Sequence, residues 1–151
     1  MVASASIKDN TIEIIRDIEN IKKKAPQKIR QALSFVSALQ IRRIKTRTRA
    51  GISSTGTKFA PYSKGYGSKK ESGFVDLTDS GQMLGSMTFK ASQSKGELFF
   101  RGREQVEKAS IHDLFGAGKK KVIRPFFRIN QKDEEVILKT FANIVGGIVN
   151  V

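Results

Sequence analysis

Few residues in this chain are suited to catalytic chemistry. There is one histidine, His112, beside Asp113, and no cysteine among 151 residues. The lack of Cys excludes thiol nucleophiles, disulfides and every Cys-ligated zinc or iron–sulfur site. One His cannot furnish a two-His metal site. Adjacent side chains diverge on a helix and on a strand, so His112 and Asp113 do not form a dyad, and a structural or capping place suits the histidine better. Asp76 with Asp79, and the run Asp133-Glu134-Glu135, are of a type that can hold a cation. Each lies at the start of a helical pattern, where acids complement the helix dipole. The Gly-rich stretches carry neither the Walker spacing nor the dinucleotide fingerprint. These residues predict a protein that is not an enzyme and holds no metal or cofactor.

The chain does have abundant positive charge. Lys and Arg number 28 against 14 acids, a formal net charge of +14. The excess is concentrated. Ile21 to Ser72 holds 14 basic residues and one acid, whereas Met1 to Asn20 is net −2 and Gly73 to Val151 net +3. Such a field suits a polyanion or an acidic partner. Its densest part is Arg42, Arg43, Lys45, Arg47 and Arg49, left over from an apolar helical stripe and expected to face a partner or DNA. No zinc finger, RNP-type aromatic motif or clear helix-turn-helix accompanies it, so nucleic-acid contact would be made to the backbone without sequence preference. A solvated face and simple capping of a helix C-terminus are the plainer readings of the same charges.

These residues need elements to position them. Asn10 suits an N-cap, with Glu13 three residues on as in a capping box, and Ile14, Ile15, Ile18 and Ile21 follow at helical spacing. Pro26 fits either the first turn of a second helix or a kink in one long helix. Ile29, Leu33, Val36 and Ile44 form a stripe, widened by Leu39 and Ile41, that Gly51 terminates. Gly51 to Gly73 is the one long irregular stretch, and such loops are usually functional. Lys58, Phe59, Pro61, Tyr62 and Tyr66 predict that it gains its contacts in a partner's groove. Thr78, Asp79 and Ser80 offer caps for a short helix over 82–86. Met87–Ser92 and Glu97–Arg101 predict a hairpin across Ser94-Lys95-Gly96, with Leu98, Phe99 and Phe100 buried. A helical turn over 109–115, a strand at Val122-Ile123 and a last helix follow. Asn130 caps that helix, Asp133 is its third residue, and Val136, Ile137, Phe141 and Ile144 form its buried stripe. No apolar run approaches the ~18 residues of a membrane span, and residues 1–10 lack a signal-type apolar region.

Several short motifs recur in a recognisable order. Arg47-Thr48-Arg49 is followed by Gly56-Thr57-Lys58-Phe59-Ala60-Pro61-Tyr62-Ser63, then Val75-Asp76-Leu77-Thr78-Asp79-Ser80-Gly81-Gln82-Met83-Leu84. Next come Ala109-Ser110-Ile111-His112 with Gly116, and finally Arg124-Pro125-Phe126-Phe127-Arg128-Ile129 with Asp133. In this order and spacing the set resembles the virion-morphogenesis and tail-completion proteins of long-tailed bacteriophages, over about Arg42 to Ile144. The chain departs from that pattern after His112, where Asp113-Leu114-Phe115 lengthens the gap to Gly116. Within the pattern, Gly81 tolerates a positive φ at the entry to a short helix. Arg124, Pro125 and Phe126 set the junction ahead of the last helix, with the phenyl rings wedged on the core.

The expected fold is α/β (α+β): a long N-terminal helix and a C-terminal helix on a small, mostly antiparallel sheet. One domain spans 1–151, with a helical part (10–50), an extended interaction loop (51–73), and a sheet with the last helix (74–151). The resemblance implies a structural virion protein of the phage neck, assembled in the host cytoplasm. It would complete or terminate the tail and join it to the head connector as a homo-oligomeric ring, hexameric in this class. Its partners would be other neck and tail-tube proteins, with the genome DNA passing through the lumen. The alternative is a sequence-nonspecific nucleic-acid-binding protein.

Overall fold

The computed structural model describes the backbone of residues 3–70 and 73–147, with the side chains of the first helix described at 19–20 and from 23 onward. Helix α1 (Ala3–Arg49) is continuous through Pro26, so the proline lies inside one long helix and does not open a second. Asn10 sits within α1 and is not its cap. The helix keeps its regular hydrogen bonding on both sides of that residue, which leaves a cap there nothing to satisfy. The side chains of Ile14, Ile15, Ile18 and Ile21 lie outside the described residues. Farther along, Ala32, Val36, Ile41 and Ile44 are buried, as the apolar spacing requires. The helix ends where Gly51, at φ +78, turns left-handed and the amides of Gly51 and Ile52 reach back to the carbonyls of Thr48 and Arg47, a C-terminal closure that favours glycine.

The elements after α1 are short. Helix α2 (Lys64–Gly67) interrupts the 51–73 stretch, and α3 (Gln82–Gly85) precedes a two-stranded antiparallel sheet. Gly81 opens α3 at φ +76 with no side-chain cap; the Ser80 hydroxyl accepts only a long bond of 3.4 Å from the Gln82 amide. Strands β1 (Met87–Ala91) and β2 (Gly96–Phe100) pair with Met87 opposite Phe100 and Ala91 opposite Gly96. The Ser92 hydroxyl accepts the amides of Ser94 and Lys95 and closes the hairpin. Leu98, Phe99 and Phe100 are half-buried, not enclosed, because a two-stranded ribbon covers the core with one face only.

Helix α4 (Arg103–Ser110) runs directly into a single π-helical turn, Ile111–Phe115. Gly116 follows at φ +84, and a Cβ built on it would fall 2.2 Å from the Lys121 carbonyl oxygen. Only glycine fits this turn. Val122 makes a lone two-residue bridge with Ala117 instead of a strand, since among the described residues no further strand extends the pairing. Helix α5 (Gln131–Gly146) completes the fold, its N-terminus closed by the Asn130–Asp133 capping box. Val136, Ile137, Phe141 and Ile144 are half-buried, and α5 packs against α1. The architecture is α+β, with two long helices on a two-stranded antiparallel sheet.

One core joins these pieces: Ile41 and Ile44 of α1, Phe59, Val75, Leu77, Met83, Leu84, Met87, Ala109 and Phe126. No helix among the described residues is long and apolar enough to cross a membrane. Phe126 is fully enclosed (0% exposed) and lies edge-on to Phe100 at 6.1 Å. Phe126→Ala should therefore cost about 3–5 kcal/mol, a large part of the ~5–15 kcal/mol that holds a domain together. Urea unfolding measures it, and a midpoint equal to wild type would contradict this packing.

Candidate interaction site

The segment from Arg124 to Asn130 meets residues from most of the rest of the chain, and its polar groups show why. Asp113, buried in the π-turn, accepts the amides of Phe126 and Phe127 on one carboxylate oxygen at 2.8 and 2.9 Å. The Arg124 amide donates to the His112 carbonyl at 2.7 Å. The Arg124 guanidinium, only 4% exposed, donates to the carbonyls of Ala60 and Pro61 at 2.9 and 2.7 Å. On the other side the Ser54 amide reaches the Pro125 carbonyl, and the Asn130 side-chain amide reaches the Ser54 carbonyl. Planar, permanently charged guanidinium suits such paired carbonyl bonding.

Asp133 anchors the end of this segment. It is 1% exposed. One oxygen accepts from Arg43 Nε at 2.8 Å; the other accepts from Gln40 Nε2 at 2.9 Å, from the Asn130 amide at 3.2 Å and from Arg47. Arg47 also donates to the carbonyls of Phe126, at 3.0 Å, and Arg128. Gln40, Arg43 and Arg47 are spaced by three and four and share one face of α1.

This divides the five cations grouped in the sequence. Arg43 and Arg47 turn inward onto Asp133, so neither is a free partner-facing charge. Arg42, Lys45 and Arg49 have the same three-and-four spacing two residues later, which rotates them about 200° around the helix. Arg42 and Arg49 are exposed and Lys45 is half-buried. Burial, and then the neighbouring charge of Arg49, push the Lys45 ammonium below its ordinary range.

The described part of the 51–73 stretch, residues 51–70 and 73, is folded onto the body and does not extend from it. Phe59 is a core residue, which removes it from the docking set. Ile52 bridges Lys58, the Phe59 amide bonds the Gly51 carbonyl, and the Ser53, Thr55 and Thr57 hydroxyls hold the turn between. Tyr62 is half-buried. Its ring meets Tyr66 edge-on at 4.8 Å and carries the Arg124 guanidinium at 5.2 Å and the Lys70 ammonium at 5.8 Å. Lys70 pairs with Asp76 at 3.3 Å. Lys58, Pro61 and Tyr66 remain exposed.

Asp113 and Asp76, two of the groups suited to chemistry, hold backbone amides, whereas the buried Nδ1 of His112 has no hydrogen-bond partner. Asp113 is occupied by two amides, and His112 is half-buried, its imidazole held below its usual range by burial and then by the Arg124 charge. Asp76 folds its carboxylate onto the Thr78 amide at 3.0 Å. Among the described residues no cluster of three or more His, Cys, Asp or Glu is placed to hold a metal. Helical phase puts Arg43 and Arg47 on one face with Gln40, but only the distant Asp133 shows that this face turns inward. The long-range partners Asp113 and Asp133 had no local signal beyond the Asn130 cap.

The Asp133 cluster has a pH consequence. Burial presses its carboxyl upward, but bonds from Gln40, Arg43, Arg47 and the Asn130 amide outweigh this and hold it below its ordinary value of 3.8. Folding thus favours the ionised form. Its contribution is complete above the unfolded pKa and is lost as pH falls through the lower folded one. Asp133→Asn should cost roughly 3–5 kcal/mol at neutral pH, because it leaves two inward guanidiniums without a counter-charge. Urea titrations from neutral to acid pH test this: the gap to wild type should narrow below about pH 4, and a gap that stays constant across the range would rule out the ionised carboxylate as its source.

Comparison of the chain with protein-family models, with curated proteins and with solved structures finds no match.

Proposed function

We propose that this chain is a structural component of the neck of a tailed bacteriophage, completing the tail and joining it to the head as a closed homo-oligomeric ring. The observation that carries this reading is the contact between Arg124 of the Arg-Pro-Phe motif and the carbonyls of Ala60 and Pro61 in the aromatic–small–Pro–aromatic loop, more than sixty residues earlier. The motifs that resemble the tail-completion family in sequence also converge in space. Arg47 joins the same segment from α1, and His112 joins it through its carbonyl. Each of these residues holds a backbone in place, as befits a protein whose work is assembly and not catalysis. The outward cations Arg42, Lys45 and Arg49 then face an adjacent neck or tail-tube protein.

Negative-stain imaging of the purified protein, alone and mixed with tail tubes, tests the assignment. A hexameric ring that caps tube ends is expected, since a head-to-tail interface that closes generates a ring. The variant with Arg42, Lys45 and Arg49 all changed to Gln should keep its melting temperature and lose tube capping. A monomer that ignores tubes but binds duplex DNA, with a log–log salt slope near −0.9 for each phosphate neutralised, would replace the neck reading with nucleic-acid binding.

A further inference from the structure

A cleft of about 750 Å³ opens between the end of α1, the loop around α2, and Gly73–Val75. Its floor is apolar. Phe59 and Val75 are buried beneath it, and the ring of Phe74, 53% exposed, lies so close to Gly51 that a Cβ there would fall 2.9 Å from it. Its walls are cationic, formed by Lys58, Lys64 and Lys70. Lys70 is paired with Asp76, whereas Lys58 and Lys64 are exposed and have no ion-pair partner among the described residues. Glu71, next in sequence to Lys70, lies outside the described residues.

We infer that this cleft receives an extended acidic segment of a different protein, with carboxylates at Lys58 and Lys64 and an apolar side chain on the Phe59–Phe74 floor. Charge and shape both favour this occupant. Single-stranded nucleic acid needs successive aromatic faces to stack its bases. Here Phe59 is buried and Tyr62 is engaged by Arg124, Lys70 and Tyr66, so the cleft has no succession of exposed rings. A second copy fits less well, because its acid-rich stretch, Met1 to Asn20 at net −2, lies in helix α1 from Ala3 onward and is not extended. The existence of a partner rests on the neck reading; its chemistry rests on the cleft alone. The test uses neither rings nor tails, so the two readings can fail separately.

Fluorescence anisotropy with the full-length protein compares three labelled probes: a short peptide alternating aspartate with leucine, the same peptide with serine replacing leucine, and oligothymidylate. The aspartate–leucine peptide should bind saturably and most tightly, and added salt should weaken it. The double variant Lys58→Glu with Lys64→Glu should bind it about tenfold or more weakly at an unchanged melting temperature. In the wild-type protein, amide resonances of Gly51, Lys58 and Gly67 should shift on titration, a readout that needs no variant. Absence of saturable binding, equal affinity for the serine peptide, or shifts confined to other residues would each overturn the inference. Tighter binding of oligothymidylate would do so in favour of nucleic acid.

Discussion

Asp133 is the constraint on which the arrangement of the long helices depends. Burying a carboxylate is costly unless its oxygens are fully bonded and its charge is met. Here four donors, two of them guanidiniums, converge on it, three from α1 and one from its own helix cap. That requirement leaves little freedom in how α5 crosses α1. With the start of α5 fixed, Asn130 reaches Ser54, Arg47 reaches the carbonyls of Phe126 and Arg128, and the Arg124–Asn130 segment takes its path over the core. The apolar core supplies the bulk of the driving force. The polar cluster selects one packing among those the core would tolerate.

The same few turns of α1 serve two ends. One face holds Gln40, Arg43 and Arg47 against the rest of the chain, and the face about 200° away presents Arg42, Lys45 and Arg49. Charge count alone merges the two sets. The inward cations are stability determinants, and substitutions there act through folding. The outward cations touch no carboxylate among the described residues, so their substitution reads out surface electrostatics. The 51–73 stretch has a comparable division, with Phe59 in the core and Lys58, Lys64 and Tyr66 at the surface.

Much of the fold was legible where local chemistry is decisive. The Asn130–Asp133 box, the hairpin, the left-handed Gly51 and Gly81, and the burial of Phe126 all follow from residue type and short spacing. What escaped was set by distant partners. Arg43 and Arg47 look like surplus charge until Asp133, 90 and 86 residues later, is brought beside them. The loop looked loose because its Gly, Ser and Thr suggest irregularity, while its anchors are Phe59 in the core and the Arg124 clip. The start of α1 was misplaced at Asn10 because a good capping residue in mid-helix carries the same local signal as one at a terminus. Helix α4 has little apolar periodicity, with Ala109 its one buried residue, and so gave no stripe to read.

The length of α1 has a mechanical consequence. The first buried side chain described along it is Ala32, yet its backbone continues in the N-terminal direction to Ala3, about 44 Å farther at 1.5 Å per residue. The cluster at Gln40, Arg43 and Arg47 therefore acts as the fulcrum of a lever. A tilt of about 10° at that point, roughly 60 Å from Ala3, would carry the far end roughly 10 Å, about the spacing between two packed helices. Pro26 lies between fulcrum and tip and lacks one helical amide, yet the helix continues through it. Any adjustment in how Asp133 seats its guanidiniums would thereby be amplified at a distance from the core.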